Sequence, residues 1–371
     1  MKGITAILLT LYVLQVESGN VLVCKDIQDC KTCAESYIHI LGFKEDCRWC
    51  LETKSCGGPV SCPIGKPVIQ KDSFKCPTPY TPTTGKRYSD SLGRSLYAVT
   101  VSVRDTNVTS CLRNVRPDIG FVRTYEEVCD GAGNTCKGIL AVSTEAKAIY
   151  VAYKGSTAGK QVFAEILHGL TAQLGAWEKF ESQDAGVITY FHTAFYKLFI
   201  DSGMKDDLID LMKKYKNYRI WTTGHSLGGS LASMTALHLV KNKLVDKNRV
   251  RLITFGEPRT GNIGYAKEIE AMIPFRYRVV KKNDAVTNVP APMSQVNLLN
   301  AAIYNRQPLH YRYLVHYNNR MARGDPFNIC SVSDDLGCRN TAVSDVTDHT
   351  SYFSIDQDDF VRNGCPREQL I

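Results

Sequence analysis

The sequence predicts an α/β fold with a central, mostly parallel sheet, preceded by a small module held together by disulfides. Short β-favouring runs alternate with helical stretches from residue 88 onward. One of these runs leads into a serine flanked by glycines, which a helix follows. Eight cysteines crowd into the first part of the chain, between Cys24 and Cys76. With 371 residues, 44% of them apolar, the chain can form one large core and a small second one.

The first 18 residues are typical of a secretory signal peptide. A short basic start, Met1-Lys2, precedes the mostly apolar stretch Ile4–Val16, and the small residues Ser18-Gly19 suit a cleavage site. No later stretch approaches 18 continuous apolar residues, so no membrane span is predicted. We therefore expect a secreted, extracellular protein whose fourteen cysteines are mostly paired. The sequon Asn107-Val108-Thr109 makes Asn107 a candidate glycosylation site in that compartment.

The charge and the ligand-type residues exclude two classes of function. The net charge of +8 is spread along the chain without a run of five or more basic residues, so no nucleic-acid partner is expected. No HExxH or comparable spacing of metal ligands occurs, and the sequence implies neither a metal nor an organic cofactor.

The cysteine-rich segment predicts a module over residues 19–76, a Pro/Thr-rich linker over 77–87 and a larger domain over 88–371. Two CxxC pairs, Cys30/Cys33 and Cys47/Cys50, leave a zinc ribbon as an alternative. The signal peptide and the four additional cysteines favour disulfides, although eight cysteines permit 105 pairings. No chemistry is visible in the module. We expect it to serve positioning, protein contact or simply folding.

The elements of the larger domain follow from periodicity and residue type. Helices are predicted over Ser89–Arg104, Gly186–Ile200 and Lys205–Lys216. Strands are predicted over Gly138–Ser143, Ala146–Tyr153, Arg219–Thr223, Arg251–Phe255 and Phe275–Lys281, of which the first two form a hairpin.

The segment after the strand Arg219–Thr223 fits the G-x-S-x-G pattern, with Gly224, His225, Ser226, Leu227 and Gly228 in its five positions. A strand before the serine and a helix after it are the context of a nucleophile elbow. Glycines on both sides avoid a Cβ clash in such a strained turn. Ser226 is therefore the candidate nucleophile, and the N–H of Leu227 is one candidate donor to an oxyanion. His225 is expected to order the elbow.

The motif GHSLGGSLA, followed after a helix by LITFGEPRTGN, resembles the class 3 (fungal-type) triacylglycerol lipase family of α/β hydrolases. The layout, with a cysteine-rich segment in front, is similar to secreted nematode members. The resemblance runs from about Tyr88 to Cys365. It implies an α/β-hydrolase domain that hydrolyses carboxylic esters at a lipid surface.

The cysteine spacing of the module, with Arg48-Trp49 inside the second CxxC pair, resembles a PSI (plexin–semaphorin–integrin) domain. That resemblance implies pairing of the first cysteine with the fourth, the second with the eighth, the third with the sixth and the fifth with the seventh. In residue numbers the implied pairs are Cys24–Cys47, Cys30–Cys76, Cys33–Cys56 and Cys50–Cys62.

A serine nucleophile of this kind needs a histidine base and a carboxylate, which in α/β hydrolases follow the serine in the order acid, then histidine. Asp284 and Glu257 both follow the end of a predicted strand, where a carboxylate can reach the crevice, and position alone leaves both open. The resemblance selects Asp284, because N-D-x-V before prolines is similar to the segment that carries the family's aspartate.

Three histidines follow, His310, His316 and His349, and position alone does not rank them. The segment DHTSYF resembles the family's catalytic-histidine segment and selects His349. His310 matches a non-catalytic histidine, although the Gly, acid and Trp that follow it in many members are missing here.

The stretch Tyr153-Lys154-Gly155-Ser156 resembles the family's oxyanion loop, which implies that the N–H and hydroxyl of Ser156 are the second donor. The alternative is an ordinary turn at a strand end. The segment 157–177 stands where similar lipases have a lid, and its apolar stripe fits either a mobile lid helix or a core helix.

Three further disulfides are candidates. Cys111–Cys365 and Cys330–Cys338 resemble family bridges, and Cys129–Cys136 flanks a glycine-rich turn. Taken together, the residues and the resemblance predict a secreted serine carboxylester hydrolase, with acylglycerols or other lipid esters at a lipid–water interface as substrate. The alternatives are a phospholipase or feruloyl-type esterase on the same fold, and a non-catalytic extracellular binding protein.

Overall fold

The computed structural model describes residues 19–82, 87–129, 133–155, 177–291, 307–339 and 343–370. The chain divides into two compact units, one up to Pro77 and one from Thr78 onward. The predicted signal peptide, Ser156 and the predicted lid segment up to residue 176 lie outside the described residues. Within the described ranges, no helix combines the length and the apolar character that crossing a membrane requires.

The N-terminal unit is a small assembly of short elements joined by four disulfides. Helix α1 (Cys30–Glu35) precedes a hairpin of β1 (Tyr37–Ile40) and β2 (Phe43–Asp46), and β3 (Arg48–Cys50) lies between β4 (Ser55–Gly57) and β5 (Val68–Ile69). The disulfides are Cys24–Cys47, Cys30–Cys76, Cys33–Cys56 and Cys50–Cys62. This is the pairing that the PSI resemblance implies. Both CxxC pairs are consumed in it, so they are not zinc ligands.

The second unit is built on an eight-stranded sheet, which confirms the predicted fold class. Its strands in chain order are β6 (Gly120–Val128), β7 (Thr135–Ser143), β8 (Ala148–Tyr153), β11 (Arg219–His225), β12 (Val250–Phe255), β13 (Arg276–Lys281), β14 (Leu314–Tyr317) and β15 (Asn328–Cys330). They follow this order across the sheet, with parallel pairing from β8 to β14. The edge strands β6 and β15, and β7 next to β6, pair antiparallel with their neighbours.

Helices cover both faces of this sheet. Helix α2 (Asp90–Ser102) contacts one face, where the hydroxyl groups of Thr100 and Thr223 lie 3.0 Å apart. The long helix after β11, Leu227–Lys241, covers the other face, where the hydroxyls of Tyr153 and Thr235 lie 2.7 Å apart. The remaining α-helices of the described segments are Val108–Val115, Thr189–Phe195, Met204–Lys214, Ile263–Met272, Thr347–Thr350 and Gln357–Arg362.

The helix predicted over Gly186–Ile200 is wrong at its start. Gly186–Ile188 is a strand, β10, paired with β9 (Trp177–Lys179), and the helix begins only at Thr189. The N–H of Gly186 donates to the side chain of Asn262, and the N–H of Ile188 donates to the carbonyl of Thr260. Because these distant partners satisfy the backbone in its extended form, tertiary contacts override the helical pattern here.

Part of the predicted linker packs on the second unit. The N–H of Thr78 donates to the carbonyl of Ser331, and the hydroxyls of Tyr80 and Tyr277 lie 2.8 Å apart. The Tyr80 ring also meets the Tyr313 ring edge-on at 5.1 Å between centroids. Through Tyr80, the proline-rich stretch is thus attached to the sheet at strand β13 and at the residue that precedes β14.

Candidate active site

Ser226 occupies a strained turn at the end of the central strand β11. Its φ of 59° and ψ of −129° are unfavourable for a residue with a side chain, and its N–H donates to the carbonyl of Phe255 at 2.9 Å. A Cβ at Gly224 would lie 2.0 Å from the carbonyl oxygen of Gly228. A Cβ at Gly228 would lie 2.5 Å from the carbonyl oxygen of Tyr153. Both glycines of the motif are therefore required by close backbone approach.

His349 and Asp284 form a buried pair. Nδ1 of His349 lies 2.9 Å from Oδ1 and 2.8 Å from Oδ2 of Asp284. An N–H at Nδ1 donates to the carboxylate in this geometry, which leaves the lone pair of the ring on Nε2. Asp284 also accepts hydrogen bonds from the Tyr352 hydroxyl at 2.5 Å and from the N–H of Val286 at 2.9 Å.

The Asp284 carboxylate stays ionised despite its burial. Burial raises the pKa of Asp284. The His349 charge and the hydrogen bonds from His349, Tyr352 and Val286 lower it by more than burial raises it, so the net pKa lies below the ordinary value. A carboxylate that remains charged beside an imidazole stabilises the imidazolium when the ring takes up a proton.

Two backbone hydrogen bonds bring the histidine segment to the aspartate. The N–H of Asp345 donates to the carbonyl of Asn283 at 2.8 Å, and the N–H of Ala285 donates to the carbonyl of Asp345 at 3.2 Å. These bonds flank Asp284 and end four residues before His349. These two backbone hydrogen bonds explain why Asp284 and His349, 65 positions apart in sequence, lie side by side.

Glycines at the ends of two neighbouring strands border the site. A Cβ at Gly155, after β8, would lie 2.9 Å from Cβ of Ser226. A Cβ at Gly256, after β12, would lie 2.8 Å from Oδ2 of Asp284 and 2.8 Å from Nδ1 of His349. Ser226 therefore lies at the carboxyl edge of the parallel strands, between the ends of β8 and β12, each of which is followed by a glycine. No role for Gly256 was predicted from the sequence.

Gly256→Ala is expected to lower kcat by about 100-fold, because the new methyl group pushes the His349–Asp284 pair out of alignment. Gly256 has a φ of 57°. Gly203 has a φ of 83° and nothing within 4 Å of its Cβ position, so Gly203→Ala carries a similar backbone cost without a clash. Ester hydrolysis and thermal melting should be measured for both. Equal activity losses in the two variants would contradict the assignment of Gly256 to the site.

His225 supports the histidine segment from behind. Its Nε2 lies 3.0 Å from the carbonyl oxygen of His349, and the two rings are 4.2 Å apart between centroids. Burial and the His349 charge lower the pKa of His225 well below its ordinary value, so the ring is neutral. With Nε2–H donating to that carbonyl, Nδ1 accepts from the Gln357 amide, whose nitrogen is 3.2 Å away. Gln357 was not foreseen from the sequence.

Glu257, the alternative acid, points into a different network. Its carboxylate accepts hydrogen bonds from the hydroxyls of Ser233, Thr254, Thr260 and Tyr311 at 2.6 to 2.9 Å. Burial raises the pKa of Glu257, and these donors offset only part of that effect. The structure brings Asp284, not Glu257, to His349.

The two other downstream histidines are committed to backbone contacts. Nε2 of His310 lies 2.9 Å from the carbonyl oxygen of Thr287, and Nε2 of His316 lies 3.0 Å from that of Lys282. Burial lowers the pKa of both rings, which suits neutral donors in structural roles.

A buried ion network lies under the turn that follows Asp284. Arg278 and Arg339 both bond Asp335, and the side chains of all three are at most 1% exposed. The Arg339 guanidinium also donates to the Thr287 hydroxyl at 2.7 Å, and that hydroxyl donates to the carbonyl of Asp284 at 2.8 Å. The network therefore links the loop closed by the disulfide Cys330–Cys338 to the backbone of the catalytic-acid candidate.

Leu227 is the first residue of the helix after the elbow. The N–H groups in the first turn of a helix have no partner within the helix, so the helix itself does not engage the Leu227 N–H, as its predicted role of oxyanion donor requires. The second predicted donor, Ser156, lies outside the described residues, which reach Gly155 at this end of the loop.

The remaining predicted features are covalent. The disulfides Cys111–Cys365 and Cys129–Cys136 are present. Asn107 is exposed and begins the helix Val108–Val115, where its side-chain oxygen accepts from the N–H of Ser110. The one group of three potential metal ligands within the described ranges is Asp105, Cys111 and Cys365, and its two sulfurs form a disulfide.

Fold and site together define an α/β hydrolase. A sequence model of the family described as Lipase (class 3) matches residues 150–294, which include the elbow and Asp284. Residues 150–294 are therefore similar to class 3 lipases, and the fold is that of an α/β hydrolase.

Curated relatives are similar in sequence, and solved structures are similar in fold. The chain is 27% identical to a lipase of Caenorhabditis elegans over 303 residues, which cover 75% of this chain and 83% of that one. It is 29% identical over 164 residues to a secreted mono- and diacylglycerol lipase of Malassezia restricta, covering 43% of this chain and 52% of the relative. Its fold is similar to that of a Rhizopus microsporus lipase, with a TM-score of 0.56 and 23% identity over 79% of this chain and 94% of that one.

Proposed function

We propose that this protein is a secreted serine carboxylester hydrolase that acts on acylglycerols at a lipid surface through Ser226, His349 and Asp284. The observation that carries the proposal is the strained Ser226 turn beside the buried His349–Asp284 pair, with Gly155 and Gly256 clearing space around them. The match of residues 150–294 to the class 3 lipase model supports lipase-type hydrolysis. The seven disulfides, and the secreted relative in Malassezia restricta, support an extracellular location.

In this mechanism the Ser226 hydroxyl attacks the ester carbonyl while Nε2 of His349 takes its proton. Asp284 holds the imidazole through Nδ1 and stabilises the imidazolium. The N–H of Leu227, with Ser156 as second donor, binds the oxyanion of the tetrahedral intermediate. The imidazolium then protonates the leaving alcohol. In the second half of the reaction the same ring activates a water molecule, which attacks the acyl-enzyme. A second tetrahedral intermediate forms, and its collapse releases the fatty acid.

The preference for acylglycerols is supported by the family and by the acylglycerol lipase among the relatives. A direct test compares turnover of a triolein emulsion, phosphatidylcholine vesicles and methyl ferulate by the same preparation. We expect triolein to be the best of the three. Faster turnover of phosphatidylcholine or methyl ferulate would instead assign the protein to the phospholipase or feruloyl esterase alternative.

The nucleophile is tested with a fluorophosphonate probe and with p-nitrophenyl butyrate. We expect the probe to label Ser226 and Ser226→Ala to lose hydrolysis by at least about 10⁴-fold. Ser230→Ala is the matched control, because Ser230 lies one helical turn further on and its hydroxyl lies 2.9 Å from the Thr260 hydroxyl instead. Equal hydrolysis before and after Ser226→Ala would point to a non-catalytic binding protein.

A further inference from the structure

The hairpin of the N-terminal unit ends in three large apolar side chains that are exposed to water. Ile40, Leu41 and Phe43 are 44%, 93% and 75% exposed. The register of the hairpin places Ile40 directly opposite Phe43, so their side chains share one face, and Leu41 lies at the apex. We call residues Ile40–Phe43 the apolar tip.

Leu41 is unfavourable at the apex for its backbone conformation as well as for its exposure to water. Leu41 has a φ of 51° and Gly42 a φ of 85°, so both central residues of this two-residue turn are left-handed. Such turns favour Asn, Asp or Gly, since a branched side chain is strained in that region. A leucine that opposes both the turn geometry and its own solvation does not serve the folding of the module. Contact with another apolar phase removes the cost of exposing the Leu41 side chain to water.

The residues behind the apolar tip change in character with distance from the apex. The segment Ser36–Phe43 contains no Lys, Arg, Asp or Glu. On the opposite face of the hairpin the rings of Tyr37 and His39 meet at 5.5 Å, and the Lys44 ammonium lies 4.0 Å from the Tyr37 ring centroid. Charged side chains follow at the base of the hairpin, beginning with Glu45.

This order of apolar apex, amphipathic rings with a lysine, and charged base matches the depth profile of a lipid–water interface. The N-terminal module is also nearly balanced in charge, with eight Lys or Arg and seven Asp or Glu in residues 19–76. The module therefore gains little from electrostatic attraction to anionic lipid, so hydrophobic insertion must carry the contact.

We propose that the apolar tip inserts into a lipid–water interface and holds the protein at that surface. The proposal rests on the proposed function only in that the ester substrate lies at the same kind of surface. It gives the N-terminal module a lipid contact of its own, separate from the catalytic residues of the second unit.

The test uses the full-length protein and liposomes of ether-linked phosphatidylcholine, whose acyl-ester bonds are replaced so that binding is measured without turnover. Leu41→Asn removes the apex side chain and supplies a residue that the turn favours, so thermal melting should stay the same or improve. We expect partition onto the liposomes, measured by sedimentation, to weaken by about tenfold. Adding Phe43→Thr should weaken it by about 100-fold in total.

Ile64→Asn is the matched control, because Ile64 is fully exposed on another loop of the same unit. It should leave partition unchanged. Since charge does not carry the contact, partition of the wild-type protein should also persist in about 0.5 M NaCl.

Three outcomes would overturn the proposal: Leu41→Asn binds liposomes like the wild type, Ile64→Asn loses as much binding, or the wild type does not bind. A dimer that dissociates on Leu41→Asn would also overturn it, by showing that a second copy covers the tip. Hydrolysis of soluble p-nitrophenyl butyrate reports the catalytic residues independently and should not change in the tip variants. Its absence in the wild type would refute the proposed function while leaving the liposome result to decide this proposal.

Discussion

Asp284→Asn is expected to lower kcat for ester hydrolysis by about 10⁴-fold, with little change in the folded structure. The amide keeps the size of the side chain but removes the charge that stabilises the His349 imidazolium. It also presents an N–H₂ group that competes with the ring nitrogen for the donor role, so His349 can settle in the wrong tautomer. Steady-state kinetics on p-nitrophenyl butyrate, with a circular dichroism spectrum of each protein, would measure the effect.

Glu257→Gln is the control for that experiment. Glu257 is also a buried carboxylate after a strand of the same sheet, but its partners are four hydroxyl groups rather than a histidine. The variant should keep most of the wild-type activity while losing some stability. If Glu257→Gln abolished hydrolysis and Asp284→Asn did not, the acid would be misassigned.

Asp335→Asn is expected to lower the free energy of unfolding by about 3–5 kcal/mol, since it leaves buried guanidinium groups without their shared carboxylate. Arg278 and Arg339 both bond Asp335, and none of these side chains is more than 1% exposed. Urea unfolding at pH 7 would measure the loss. In Asp210→Asn the lost partner is Lys213 in an exposed pair, so this control should unfold like the wild type.

The pH dependence of the difference provides a second check. Burial raises the pKa of Asp335, but the charges of Arg278 and Arg339 lower it to well below the ordinary value. A carboxylate with a lowered folded-state pKa contributes stability above its unfolded pKa of about 3.9 and loses it as the pH falls toward the folded value. The gap between wild type and Asp335→Asn should therefore hold from pH 7 to about pH 5 and narrow below about pH 4. A gap that widened in acid would contradict the role given to this carboxylate.

Local chemistry made the elbow predictable from the sequence, because the strand, the two glycines, the serine and the helix are neighbours in the chain. Asp284 and His349 required the family resemblance, since position alone left Glu257 and two other histidines open. The partners that hold the site, such as Tyr352, Gln357 and Gly256, were beyond reach because their contacts join residues far apart in sequence. The prediction of a helix at Gly186–Ile188 was wrong for the same reason, because hydrogen bonds to the distant residues Asn262 and Thr260 hold this segment as a strand.

The disulfide Cys111–Cys365 spans 254 positions and closes most of the second unit into a covalent ring. Chain-entropy arguments assign a loop of this size about 5 kcal/mol of protection against unfolding. A single cut by a protease inside the ring would leave both pieces attached, with the serine, the aspartate and the histidine still on one molecule. The bridged chain can thus survive a nick that would release half of an unbridged one.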